Sequence, residues 1–117
     1  MALDLKSGRE LWFSAMRWRR AVEAELREVG LTFTQWQVLD ATRELSEETR
    51  DAVSQSAVAR HLELDRMTVS QVMRTLEGRG LVDRGPEMDG RALRIWPSTA
   101  GRRLLQKALS RLGRTRL

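Results

Sequence analysis

Residues 66–74 read "RMTVSQVMR", and on a helix turning about 100° per residue they divide into two unlike sides. Val69, Val72, Met73 and Leu76 fall at i, i+3, i+4 and i+7, a narrow apolar stripe suited to a core. The other side carries Met67, Gln71 and Arg74, with Arg66, Thr68 and Ser70 beside them. These types suit the reading of nucleic-acid edges. Arg and Gln can form bidentate hydrogen bonds with purines, Thr and Ser can bond bases or phosphates, and Met67 can meet a thymine methyl in the major groove. The plain alternative is an amphipathic surface helix with a solvated face.

Two flanking segments favour the first reading. Ser54 and Gln55 open a short helix, "VSQSAVARHL", whose free N–H groups and positive dipole end suit a phosphate oxygen. Downstream, "LVDRGPEMDGRALRIW" reads as two short strands joined through a turn containing Asp89 and Gly90. Arg91 on such a tip can enter a minor groove, where the negative potential attracts it. Asp89 is expected to orient that guanidinium rather than touch DNA, because phosphate repels a carboxylate.

The elements that must position these residues follow from periodicity and capping. A first helix is expected from about Gly8 to Val29, ended by Gly30, with a broad apolar stripe that includes Leu11, Trp12, Phe13, Met16 and Trp18. Its width calls for a second apolar partner. Thr34 and Gln37 have capping-box spacing for a second helix, with Phe33 and Val38 as its hydrophobic staple. "SEETRD" reads as a surface loop. Ser54 caps the short helix, with Val58, Ala59 and Leu62 on its buried edge, and Asp65 caps the helix that begins at Arg66. Leu93 and Ile95 alternate with Arg94 and Trp96, as in a half-buried strand. Ser98 caps a last helix bearing Leu104, Leu105, Ala108, Leu109 and Leu112, ended by Gly113.

A short helix, a tight turn and a second helix form a helix-turn-helix, whose second helix enters the major groove. The predicted fold is mainly α with a small β-wing. It is a single domain over 1–117, in which 31–97 form the winged helix-turn-helix and the helices of 1–30 and 98–117 serve dimerisation. The recognition helix is placed at 66–79 and the wing at 81–96.

Net charge alone is a weaker guide than its distribution. The chain of 117 residues carries +5, yet residues 1–53 hold 8 basic and 10 acidic groups, 54–97 hold 7 and 6, and 98–117 hold 6 and none. The excess lies in the tail, where phosphate contact and a solvated helix face are equally good readings. Arg outnumbers Lys by 19 to 2, which suits bidentate contacts and suits codon bias equally. No apolar run is long enough to span a membrane, the start lacks a secretory h-region, and the cytoplasm is the expected compartment.

Other chemistries find little support. The absence of cysteine excludes disulfide staples and thiolate redox sensing. His61 stands alone near Glu63 and Asp65, so no metal is expected, and a surface histidine at a helix end is the better reading. No Gly-rich phosphate loop follows a strand and no carboxylate pair sits in a recognisable frame, so neither catalysis nor a cofactor is expected. Met16, Met73 and Met88 read as core filling or chance exposure rather than oxidation targets. Trp12, Trp18 and Trp36 are candidates for lining a small-molecule effector cavity, with core or interface packing the stronger reading.

Taken together, "GLTFTQWQVL", "VSQSAVARHLELDRMTVSQVMRTLEGRGLVDR" and "MDGRALRIWPSTAGRRLL" resemble the MarR-type winged-helix transcriptional regulators, in order and spacing, over roughly residues 8–112. The resemblance implies a homodimer that places two recognition helices in successive major grooves of a pseudo-palindromic operator on double-stranded DNA. It also implies repression relieved by a small molecule or another signal. Three departures stand out. Members usually continue into a further C-terminal dimer helix, so either this dimer relies on the first and last helices or the chain is a shortened form. Trp96 and Pro97 occupy the wing exit, where branched aliphatics and Leu are usual. The cysteine of the family's oxidant sensors is missing. The rival reading is a winged-helix module for protein–protein contact, which the near-neutral balance of 54–97 favours.

Overall fold

The computed structural model describes residues 3–85 and 94–113. The order is α1 (Leu5–Arg27), α2 (Phe33–Thr49), α3 (Gln55–Leu62), α4 (Arg66–Gly78), β1 (Val82–Gly85), β2 (Arg94–Pro97) and α5 (Thr99–Leu112). Mostly helical with one small antiparallel sheet, this is the architecture expected from periodicity.

Helix α1 begins three residues earlier than expected, because the Asp4 carboxylate accepts from the Lys6 and Ser7 amides and caps it. It ends at Arg27, and Gly30 turns the chain at φ 73. The capping box of α2 is Thr32 with Gln35, not Thr34 with Gln37. Thr32 is the residue with extended backbone, which puts Thr34 inside the first turn. By the same shift the staple positions belong to Leu31 and Trp36, while Phe33 and Val38 are both buried.

The stretch read as a loop is mostly helical. Helix α2 continues to Thr49, and only Arg50–Ala52 are irregular before a short bridge at Val53. Arg43 pairs with Asp40 at 2.9 Å and Glu47 at 2.8 Å, and the hydroxyls of Ser46 and Thr49 donate to the carbonyls of Arg43 and Leu45. Such i+3 and i+4 links let a polar sequence stay helical.

One continuous core unites the elements: Leu26 of α1, Val38 and Leu39 of α2, Val58 of α3, Met73 and Leu76 of α4, Ile95 of β2 and Leu105 of α5. In α5, Leu109 lies past the edge of the buried sector and is 55% exposed. Gly101 is required by packing, since a Cβ there would overlap the Leu81 carbonyl oxygen.

The strands pair from Val82 with Pro97 to Gly85 with Arg94. Ile95 is buried while Arg94 and Trp96 face outward, the alternation expected, and Leu93 lies outside the described residues. Val53 adds a third, single-residue strand through hydrogen bonds with Ile95 at 2.9 and 2.8 Å. The Ser98 hydroxyl donates to the Gly80 carbonyl at 2.6 Å and accepts from the Gly101 amide at 3.0 Å, so one side chain caps α5 and fastens it to the end of α4.

Candidate nucleic-acid interface

Helix α4 is anchored on one side and bare on the other. Val69, Met73 and Leu76 are completely buried, and Val72 is half-buried at the margin of that stripe. On the far side Met67 is 71% exposed, Gln71 and Arg74 are exposed, and Thr68 and Ser70 are half-buried. An exposed Met flanked by polar groups departs from a solvated charged face and keeps an apolar contact available.

The start of the helix is fixed by Asp65, whose carboxylate accepts from the Thr68 amide at 2.9 Å and the Thr68 hydroxyl at 2.6 Å. The Thr68 hydroxyl bond, followed by the amide bond, holds the Asp65 carboxyl below its ordinary pKa. The Thr68 proton is therefore committed, and this side chain offers only acceptor capacity outward. Ser54 is engaged in the opposite sense, its hydroxyl accepting from the Ala57 amide at 3.1 Å as the cap of α3.

Between the start of α3 and the outer face of α4 lies a groove of about 560 Å³, lined by Gln55, Ser56, Arg66, Met67, Ser70, Gln71 and Arg74. Six of the nine residues singled out in the sequence meet here. Ser54 and Thr68 act as cap and cap partner at its edges. Arg91, with Asp89, lies outside the described residues. The groove offers the guanidinium forks of Arg66 and Arg74, the amides of Gln55 and Gln71, the hydroxyls of Ser56 and Ser70, and one thioether. Donors and acceptors thus surround an apolar point, as a mixed base edge requires.

The family assignment rests on the segment that builds this groove: a family model described as MarR family matches residues 29–92. The chain belongs to the MarR family. That span runs from the turn before α2 through α3 and α4 into the wing, so the fold is a winged helix and the chain a regulator of the DNA-binding type.

Solved structures agree over nearly the whole chain. CouR from Rhodococcus jostii RHA1, bound to p-coumaroyl-CoA, is 29% identical with a TM-score of 0.78, covering 97% of this chain and 77% of that one. A transcriptional regulator (MarR family) from Rhodococcus sp. RHA1 is 27% identical with a TM-score of 0.77, covering 96% and 78%. A mutant MarR from E. coli complexed with operator DNA shares the fold at 19% identity and a TM-score of 0.79, covering 93% and 75%. Among curated proteins no sequence matches.

Two contributors were not visible in the sequence. Ser56 accepts from Arg66 at 2.7 Å, tying the first turn of α3 to that of α4. Arg84 of β1 pairs with Glu77 of α4 at 3.1 Å, linking the wing to the last turn of that helix. Neither partner lies within a helical turn of the other, so spacing carried no signal for either contact.

Other sequence candidates are dispersed. Trp18 and Trp36 both pack on Phe33, with centroids 5.6 and 5.7 Å away, and the Arg19 guanidinium stands 4.7 Å from the same ring. Trp12 is 61% exposed, away from that cluster. His61 faces Glu44 at 3.4 Å on the surface. Among the described residues no helix is long and apolar enough to cross a membrane.

Proposed function

We propose that this protein is a sequence-specific transcriptional repressor that binds a pseudo-palindromic operator in double-stranded DNA as a homodimer. The recognition helix at 66–79 lies in the major groove and the wing at 81–96 reaches the minor groove. Gln71 and Arg74 read base edges and Met67 contacts a thymine methyl. Arg66, Ser70, Gln55 and the N-terminal end of α3 at Ser54 fix the register on phosphates, with the acceptor side of Thr68 beside them. Arg91, oriented by Asp89, enters the minor groove.

The observation that carries this reading is the groove shared by α3 and α4, whose polar and thioether lining faces outward while the opposite side of α4 is sealed in the core. The operator complex of the E. coli MarR mutant supports it by analogy. Dimerisation is supported by Leu5, Leu11, Trp12 and Phe13 of α1 and Leu109 of α5, large apolar side chains left bare in one copy. The helices of 1–30 and 98–117 thus serve assembly, and 31–97 serve recognition. The ligand held by CouR supports a small-molecule effector here.

Selection of genomic fragments by the purified protein tests the reading. Enrichment of sites with two half-sites about 10–10.5 base pairs apart, or a multiple of that, is expected. Affinity should fall steeply with salt as phosphate contacts release counterions. Retention of no duplex above background would reject it. The near-neutral balance of 54–97 favours a second reading, a protein–protein module, which predicts no duplex binding and no effect of Arg74→Ala on any.

A further inference from the structure

Among the described residues of α2, α3 and α4, Met67 is the one large hydrophobic side chain left exposed, at 71%. The other bare apolar groups lie on or beside α1 and on β2 and α5. Those of α1 gather into a broad stripe, as contact with another protein surface requires. Met67 instead stands singly. It lines the groove with Gln55, Ser56, Ser70, Gln71 and Arg74, and every other residue lining that groove is polar.

Its place on the chain is fixed from both sides. Arg66, before it, is tied to the Ser56 hydroxyl at 2.7 Å. Thr68, after it, is tied to the Asp65 carboxylate through its amide at 2.9 Å and its hydroxyl at 2.6 Å. The first turn of α4 is thereby set, while the unbranched thioether arm of Met67 can settle against a surface of irregular shape.

A lone apolar tip among donors and acceptors matches a polar surface with isolated apolar points. The major groove is such a surface, its apolar point being the methyl on C5 of thymine. That methyl is not confined to thymine. The modified base 5-methylcytosine carries it on the same ring carbon, at the same place in the groove, whereas uracil and cytosine lack it. The two methylated bases then differ in an O4 acceptor against an N4 donor. A thioether donates nothing and accepts only weakly, so it is nearly blind to that difference. We infer that Met67 reads the pyrimidine C5 methyl group itself, so that a cytosine at its position is bound according to whether it is methylated. This inference rests on the DNA-binding reading and adds to it a chemical mark on the target. A contact that serves for thymine serves equally to detect cytosine methylation.

The test uses the full chain and a duplex obtained by selection, with affinities read by competition in fluorescence anisotropy. Each thymine in turn is replaced by deoxyuridine and each cytosine by 5-methylcytosine, which changes the methyl and nothing else. One pyrimidine position in each half-site is expected to respond, by about fourfold, the worth of one buried methyl. At that position thymine is preferred to uracil, and 5-methylcytosine to cytosine, by the same factor. Met67→Ala removes both preferences there, and its unfolding midpoint stays close to that of the parent because the side chain is exposed. Met67→Leu keeps an apolar tip and both preferences. The inference is overturned if no position responds to the methyl, or if uracil is discriminated at a position where the two cytosines are bound alike. It is also overturned if Met67→Ala keeps both preferences, which would assign the methyl to another side chain such as Thr68. Failure to select any duplex rejects the DNA-binding reading and this inference with it. A selected duplex on which no methyl matters rejects this inference alone.

Discussion

The Ser56 hydroxyl accepts a hydrogen bond from the Arg66 guanidinium at 2.7 Å, across the junction between α3 and α4. Arg66 is thereby oriented at the mouth of the groove before any partner arrives. Ser56→Ala frees it, and operator affinity is expected to fall by about 1 kcal/mol while folding stability stays within about 0.5 kcal/mol of the parent. Ser56→Thr restores the acceptor and most of the affinity. Fluorescence anisotropy with the selected operator, alongside urea unfolding, checks both. Equal affinities for the parent and the Ala variant would remove the orienting role.

Gln71 and Arg74 are expected to carry base discrimination. Each Ala substitution lowers operator affinity by about 1–3 kcal/mol and relaxes preference at one position of the site. Binding to random duplex is nearly unaffected. The measurement is a competition series over single-base operator variants, and an unchanged preference profile counts against base reading.

Self-association is expected to depend on the bare turns of α1. Trp12→Glu places a charge in an apolar contact and weakens the dimer by about 3 kcal/mol, roughly a hundredfold in dissociation constant. Sedimentation equilibrium of parent and variant over a wide concentration range tests this. A parent of monomeric mass at every concentration refutes it.

Helix α4 carries a pH dependence with a definite sign. Asp65 titrates below its ordinary value of 3.8 because the Thr68 hydroxyl and amide bond its charged form. Its contribution to stability is complete above that ordinary value and is lost as the pH falls through the lowered one. Asp65→Asn keeps a cap but removes the proton-linked part, so its unfolding free energy is flatter with pH below about 4. Identical acid limbs for parent and variant would show that the cap is not linked to protonation.

The first turn of α5 lies flush against the wing strand. Gly101→Ala is expected to cost about 3 kcal/mol or more, since the new methyl must displace the Leu81 carbonyl and Leu39. Thermal unfolding reads the loss directly, and a variant as stable as the parent would show that this contact can relax.

The outward face of α4 was legible because the stripe at 69, 72, 73 and 76 leaves one side for anything else, and because Asp65 and Ser54 sit where caps are needed. Thr32 and Thr34 each have a Gln three residues on, and spacing cannot tell which has the extended backbone of a cap. The end of α2 looked like a loop because its residues are polar. It stays helical through Arg43, whose two carboxylate partners lie on the same helix face. The Ser56 contact and the pair between Arg84 and Glu77 were beyond reach for a different reason. Both are made by elements that meet only after folding, at angles no local pattern encodes.

Two main-chain hydrogen bonds between Val53 and Ile95 fasten the lead into α3 to the strand that returns from the ribbon. The lead into α3 and strand β2 are thus held at a fixed spacing. On the operator reading proposed above, this fixed spacing works as a gauge: sequences whose grooves are spaced differently must bend or twist to touch both ends, and their stiffness decides how readily they do so. That reading then gives part of target choice to base pairs that no side chain contacts.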